Sequence, residues 1–316
     1  MVIYGKGVKM KKCVVIYNPN SGKKNKDIFL KQYKQILENN DYEVTTFFTK
    51  YHGHAIEIVE NLDNPDLVIS VGGDGTFNEV MTGNFKREKK VLLAHIPLGT
   101  TNDIGSMFGY TKNPINNLKL IMNSGVVKKI DICTLNGEPF VYVAGFGKFM
   151  NIPYETSRDL KKKYGYLAYI LEGAKSFRAK TNLYDITYEI DGEVYRGLYS
   201  FMIASNANRI AGVNNFFKDI KLDDDRFEVL FCNLSTKKDI IKSLYYLKMH
   251  DITKVPGFYF HKTNNLKITF NDLNRKKWCI DGEKYEENTN TFDIRVVSGI
   301  QIMLPNKKID TLFINK

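Results

Sequence analysis

The sequence predicts an α/β protein in two parts: an N-terminal domain on a mostly parallel sheet, then a β-rich, sandwich-like domain. Three observations predict it. From residue 12 to about residue 123, short apolar runs alternate with helical patterns, the rhythm of βαβ units. From Val126 onward, short runs of period two dominate. Between a strand pattern and a helix pattern lies a turn with three glycines around one acid, Gly72-Gly73-Asp74-Gly75.

Residues 12–17 read as a buried strand. Lys23 to about Asn39 read as a helix, with Phe29, Tyr33, Ile36 and Leu37 on one face. Residues 42–48 alternate as a strand, and a helix follows near 55–61. Residues 66–70 form a continuous apolar strand pattern, Thr76 to about Asn84 a helix, and 91–96 the next strand. A helix over 113–123 ends at Ser124-Gly125. The period-two runs then fall at 126–134, 139–147, 183–190, 194–204, 227–232, 266–270, 276–280 and 291–303. Two helices interrupt them, near 158–178 and 237–249. The first has Leu160, Tyr164, Leu167, Leu171 and Ala174 on one stripe, with Lys161, Lys162, Lys163, Lys175 and Arg178 elsewhere. Such a helix packs on a core or lies at a membrane interface, and core packing is the commoner use.

The chain has 316 residues, 43% hydrophobic and 26% charged, a soluble globular composition. No apolar run approaches the ~20 residues of a membrane helix. No secretion signal is expected, and Met10 offers an alternative start after a polar lead-in. Cys13, Cys133, Cys232 and Cys279 are widely spaced in apolar contexts, so reduced core thiols in a cytoplasmic protein are expected. His52 and His54 lack a paired ligand motif and are expected to be solvated. The net charge of +11 suits an anionic partner, and no nucleic-acid module is visible.

The glycine turn carries the chemistry. Glycines let an anion approach the backbone, and a helix start offers N–H groups and the positive end of its dipole. Asp74 in that nest would repel a bare phosphate, which points to a Mg²⁺-phosphate complex or a catalytic acid; the plain alternative is a local cap. Asn18-Pro19-Asn20-Ser21-Gly22 after the first strand offers further donors, or is simply a turn. Ligands of such sheets bind beyond the carboxyl ends of the strands, where these loops fall. Late in the chain, Asp281-Gly282-Glu283 can present two carboxylates to one cleft or be a bare hairpin turn; Asp191-Gly192-Glu193 repeats the string.

Gly72-Gly73-Asp74-Gly75-Thr76 resembles the signature shared by diacylglycerol kinases, sphingosine and ceramide kinases, NAD kinases and, more distantly, phosphofructokinases. Asn18 to Gly22 and Pro97-Leu98-Gly99-Thr100-Thr101-Asn102-Asp103 resemble the lipid-kinase branch, closest to soluble bacterial diacylglycerol kinases and YegS-like lipid kinases. The resemblance covers nearly the whole chain. It implies an NAD kinase/phosphofructokinase-like nucleotide-binding domain of residues 1–129 with 305–316, and a β-sandwich lipid-kinase domain of residues 130–304.

The activity implied is ATP- and Mg²⁺-dependent phosphorylation of a lipid hydroxyl, with diacylglycerol the first choice. Alternatives are a sphingoid base, ceramide, phosphatidylglycerol, a soluble acceptor such as NAD, or a non-catalytic nucleotide- or lipid-binding protein. The resemblance implies ATP contacts at Asn18, Pro19, Asn20, Ser21, Gly22, Thr49, the run Gly72, Gly73, Asp74, Gly75, Thr76, Phe77, Asn78 and Glu79, and Thr100, Asn102 and Asp103. It implies a catalytic base at Glu283, with Asp281 as partner and rival and Asp74 as a further catalytic acid. It implies a structural Mg²⁺ on Asp224 and the carbonyls of Lys221 and Arg226, although Asp225 stands where the family has glycine. The loop at Asn206-Ala207-Asn208 and Gly212 resembles one that shapes acceptor choice. The expected setting is the cytoplasm, peripherally at the inner face of an anionic membrane, and a homodimer is compatible with it.

Overall fold

The computed structural model describes residues 10–22, 26–99, 102–147, 182–210, 213–214, 217, 219–234, 236, 238–239, 242, 255–272, 277–306 and 309–314. Thr100, Gly212 and the helix expected at 158–178 lie outside the described residues, as does most of the helix expected at 237–249.

The first half is built from Lys11–Tyr17 (β1), Lys26–Glu38 (α1), Tyr42–Phe48 (β2), His54–Glu60 (α2), Leu67–Gly72 (β3), Asp74–Lys86 (α3), Leu93–Pro97 (β4), Asp103–Met107 (α4) and Pro114–Ser124 (α5). The strands pair in parallel in the order β2-β1-β3-β4. β3 is buried along its whole length, which is why it carries an unbroken apolar run. One sheet face packs Val15, Ile69 and Ile96 against Tyr33 and Leu37 of α1 and Leu118 of α5. The other packs Val14 and Val68 against Val59 of α2 and Phe77 and Met81 of α3. Each fully buried Phe, Leu or Val contributes about 1.5–3 kcal/mol relative to exposure.

The second half comprises Val126–Leu135 (β5), Glu138–Phe140 (β6), Val143–Gly147 (β7), Tyr184–Ile190 (β8), Glu193–Tyr199 (β9), Phe201–Ser205 (β10), Arg209–Ile210 (β11), Val213–Asn214 (β12), Phe227–Cys232 (β13), Phe258–Thr263 (β14), Asn265–Phe270 (β15), Lys277–Ile280 (β16), Glu283–Glu286 (β17) and Thr291–Leu304 (β18). Among the described residues, β18, β15, β8 and β9 continue the first sheet outward from β4, with β5 also on β18. A second, antiparallel sheet runs β14-β13-β10-β7-β16-β17. The two sheets enclose one core, with Phe146, Trp278, Phe231, Ile268 and Phe292 fully buried between them. The α/β class and the sandwich-like second part are as the periodicity predicts.

Two expected runs are split, each for a visible reason. The run at 194–204 breaks at Ser200, whose N–H and hydroxyl both donate to the Cys232 carbonyl, at 2.7 and 2.8 Å. There the chain leaves one sheet and enters the other. The run at 139–147 breaks at Val141-Tyr142, because the N–H groups of Val141, Tyr142 and Val143 donate to the Asp281 carboxylate at 2.6, 3.0 and 2.8 Å. All four cysteines are buried thiols.

Candidate active site

The loops that follow β1, β3 and β4 meet at the carboxyl edge of the parallel sheet. Asn18 joins the first two: its N–H donates to Val71 O at 3.0 Å, and its amide donates to Thr76 Oγ1 at 3.0 Å. That bond needs Gly72, since a Cβ there would stand 2.4 Å from Thr76 Oγ1. Gly73 and Gly99 join the second and third loops, where a Cβ on Gly99 would come within 2.8 Å of Gly73 Cα. Leu98 N–H completes the seam on Gly72 O at 2.6 Å.

Helix α3 begins at Asp74, two residues earlier than its apolar pattern suggests, and no side chain caps it. Nothing stands within 4 Å of a Cβ built on Gly75. The helix start thus faces open space, in a cavity of about 580 Å³. Its wall includes Asn18, Asn20, Ser21, Thr49, Gly73, Gly75, Thr76, Asn78 and Glu79 from the expected nucleotide contacts, and also Glu283. Pro19, Gly22, Gly72, Asp74, Phe77, Asn102, Asp103 and Asp281 are not on that wall, and Thr100 is not described. Phe77 is fully buried against His95, with ring centroids 4.8 Å apart.

Three wall residues escaped the sequence reading: Lys50, Tyr51 and His52. Tyr51 is exposed, stacks on His54 at 4.6 Å between centroids, and donates its hydroxyl to Glu57 at 2.7 Å. His52, expected to be solvated, lies with Nδ1 3.1 Å from Glu79 Oε1. The other Glu79 oxygen accepts the Ala55 N–H at 3.1 Å, fixing the start of α2 to α3. The aromatic-basic run Tyr51-His52-Gly53-His54 beside Thr49 was the available signal.

The acids separate by environment. Glu283 opens β17 on the cavity wall. Asp281 is 8% exposed, and the three N–H groups named above occupy its carboxylate. Burial pushes its pKa up to about 6 against the pull of those donors. Asp74 accepts the N–H groups of Asp103 and Ile104 at 2.8 and 3.2 Å. It therefore caps α4 from 29 residues away, and burial pushes its pKa up to about 7. Asp103 is 2% exposed and pairs with Arg209 Nε at 2.7 Å, an ion pair that reaches from α4 to β11. Arg209 follows the acceptor-loop candidates Asn206, Ala207 and Asn208; their string does not announce it.

The acidic loop lies apart, against β5. Asp225 takes φ 56°, the left-handed conformation a glycine would adopt, and Asp tolerates it better than most residues. Asp131 of β5 accepts its N–H at 2.7 Å, and the Ser298 hydroxyl donates to its carboxylate. The loop thus keeps its shape without the glycine. Lys221 donates to the Thr311 carbonyl, and Arg226 donates its N–H to Asp224 Oδ1 at 3.2 Å. Among the described residues, no three acidic, histidine or cysteine side chains converge in a way that could hold a metal ion.

Residues 12–135 match the diacylglycerol kinase catalytic domain. The chain is 28% identical to the diacylglycerol kinase of Bacillus subtilis (strain 168) over 308 residues, 96% of this chain and 99% of that one. It is 29% identical to the diacylglycerol kinase of Staphylococcus aureus (strain JH9) over 311 residues, 96% of each. A solved diacylglycerol kinase from Bacillus anthracis str. Sterne has the same fold, with a TM-score of 0.72 at 20% identity, covering 95% of this chain and 98% of that one. The catalytic-domain match and these relatives support an ATP-dependent lipid kinase. No helix among the described residues is long and apolar enough to cross a membrane.

Proposed function

We propose that the chain phosphorylates diacylglycerol, with MgATP as the phosphoryl donor. The observation that carries this reading is the place of Glu283: a carboxylate from the second sheet stands on the wall of the cavity that the nucleotide loops form. The nucleotide phosphates lie at the start of α3, where Gly75 leaves room and backbone N–H groups and the helix dipole favour negative charge. Asn18, Ser21 and Thr76 position them, and the exposed face of Tyr51 stacks on the base. Glu79 and Glu283 would face a Mg²⁺ bound with the nucleotide, which would supply positive charge to offset their repulsion of the phosphates.

Glu283 draws the proton from the acceptor hydroxyl as its oxygen attacks the γ-phosphate in line. Asp281 shapes the turn that presents Glu283. Asp74 acts as a positioning residue, holding α4 and Asp103 against the glycine loop. The acceptor enters from the side of Arg209 and the Asn206–Asn208 loop. The curated relatives named diacylglycerol kinase support this acceptor.

The deciding experiment offers labelled ATP with diacylglycerol, a sphingoid base, ceramide, phosphatidylglycerol or NAD. Diacylglycerol is expected to show the highest kcat/KM. Preferred turnover of another lipid, or of NAD, would replace this acceptor, and no turnover with any would favour a binding protein.

A further inference from the structure

The family resemblance implies a divalent ion at the loop of Asp224. A different cation is already there. Lys262 Nζ lies 2.6 Å from Asp224 Oδ2 and 3.0 Å from Glu228 Oε1. Lys262 is on β14, directly across the ladder from Glu228 on β13. The side chains of Asp224 and Glu228 are 10% and 2% exposed, and that of Lys262 is 30% exposed. This is a largely enclosed pair of carboxylates around one ammonium.

A Mg²⁺ ion takes oxygen ligands at about 2.0–2.1 Å in near-octahedral geometry. An ion on Asp224 Oδ2 would stand nearly in contact with Lys262 Nζ, two positive centres in one poorly solvated place. The other Asp224 oxygen already accepts the Arg226 N–H at 3.2 Å. Glu228 Oε2 has no hydrogen-bond partner and is buried.

We infer that Lys262 is the resident cation of this loop, an internal ammonium in the place of a structural metal. The loop's role survives the exchange. Leu222 and Asp223 hold the chain's end, through Leu222 N–H on Leu312 O at 2.8 Å and Ile314 N–H on Asp223 Oδ1 at 2.7 Å. Asp131 ties the loop to β5. Lys262 thus secures the closure of the chain's last residues onto the fold without dependence on divalent ions.

The test is thermal unfolding of the full chain without nucleotide, a readout independent of the proposed acceptor. Wild-type protein is melted in EDTA and across a MgCl₂ titration, with NaCl matching ionic strength. Its midpoint is expected to stay the same throughout. Lys262→Met, melted in EDTA, is expected to lose about 5–10 °C, because it leaves Asp224 without its partner. Two results overturn the inference: a saturable Mg²⁺ stabilisation of wild type that Asp224→Asn abolishes, or a Lys262→Met midpoint equal to wild type in EDTA. Should Lys262→Met fail to fold, the wild-type titration alone decides.

Discussion

Glu283 and Asp281 are two residues apart, yet they sit in opposite environments. That difference is invisible in the string Asp281-Gly282-Glu283, because the N–H groups that fill the Asp281 carboxylate come from 138 to 140 residues earlier. Two substitutions separate the roles. Glu283→Gln is expected to lower kcat by about 10² to 10⁴-fold, the usual worth of a general base. Its ATP affinity by calorimetry is expected to stay close to wild type. Asp281→Asn turns an amide N–H toward at least one backbone donor and is expected to lose about 1–3 kcal/mol in urea unfolding. A fully stable but inactive Asp281→Asn, beside an active Glu283→Gln, would reverse the two roles. Gly72 and Gly75 form a second contrast. Gly75→Ala has space for its Cβ and is expected to gain up to about 1 kcal/mol of stability, since alanine favours a helix. Its methyl group enters the cavity, so its KM for ATP is expected to rise. Unchanged KM in Gly75→Ala would place the phosphates elsewhere.

Elements with a continuous buried run, as in β1 and β3, or a long alternating one, as in β18, were readable from the residues. Shorter ones were not. β17 has four residues, α4 has five, and β14 lacks a clean alternation of buried and exposed positions. The same holds for the site: three loops could be read from their glycines and turn residues, but the Tyr51-His52 wall and the Arg209–Asp103 pair depend on tertiary contact. Helix α4 illustrates why, since its cap is Asp74 on another helix. Folded Asp74 keeps its proton up to about pH 7, whereas an unfolded Asp releases it near pH 3.9. Between those values the folded state binds more protons, so this group's contribution to stability falls as pH rises. Asp74→Asn lacks that dependence. The stability of wild type relative to Asp74→Asn is therefore expected to drop by roughly 2 kcal/mol from pH 5 to pH 7. Urea curves of both proteins at each pH measure it. Parallel pH dependence in the two proteins would mean that Asp74 is ionised throughout.

At the scale of the whole molecule, the charge of +11 bears on the surface where a lipid acceptor is met. Association with phosphatidylserine-containing vesicles is expected to weaken steeply as NaCl rises, because the attraction is screened over about 8–10 Å. Co-sedimentation measures it, and equal binding to neutral vesicles at high salt would contradict it. The same scale shows how the two halves are joined. β18 pairs in parallel with β4 through Ile302 and Met303, antiparallel with β15 through Thr291–Arg295, and antiparallel with β5 from Ile294 to Leu304 with an irregularity between Val297 and Ile300. The stretch 12–135 that matches the catalytic domain thus obtains one flank of its sheet from residues far downstream. Cut out alone, it would expose β4 as an unsatisfied edge, with the buried face of Leu93 beside it. Such an edge recruits other chains, so the excised segment is a candidate for aggregation, not a miniature kinase.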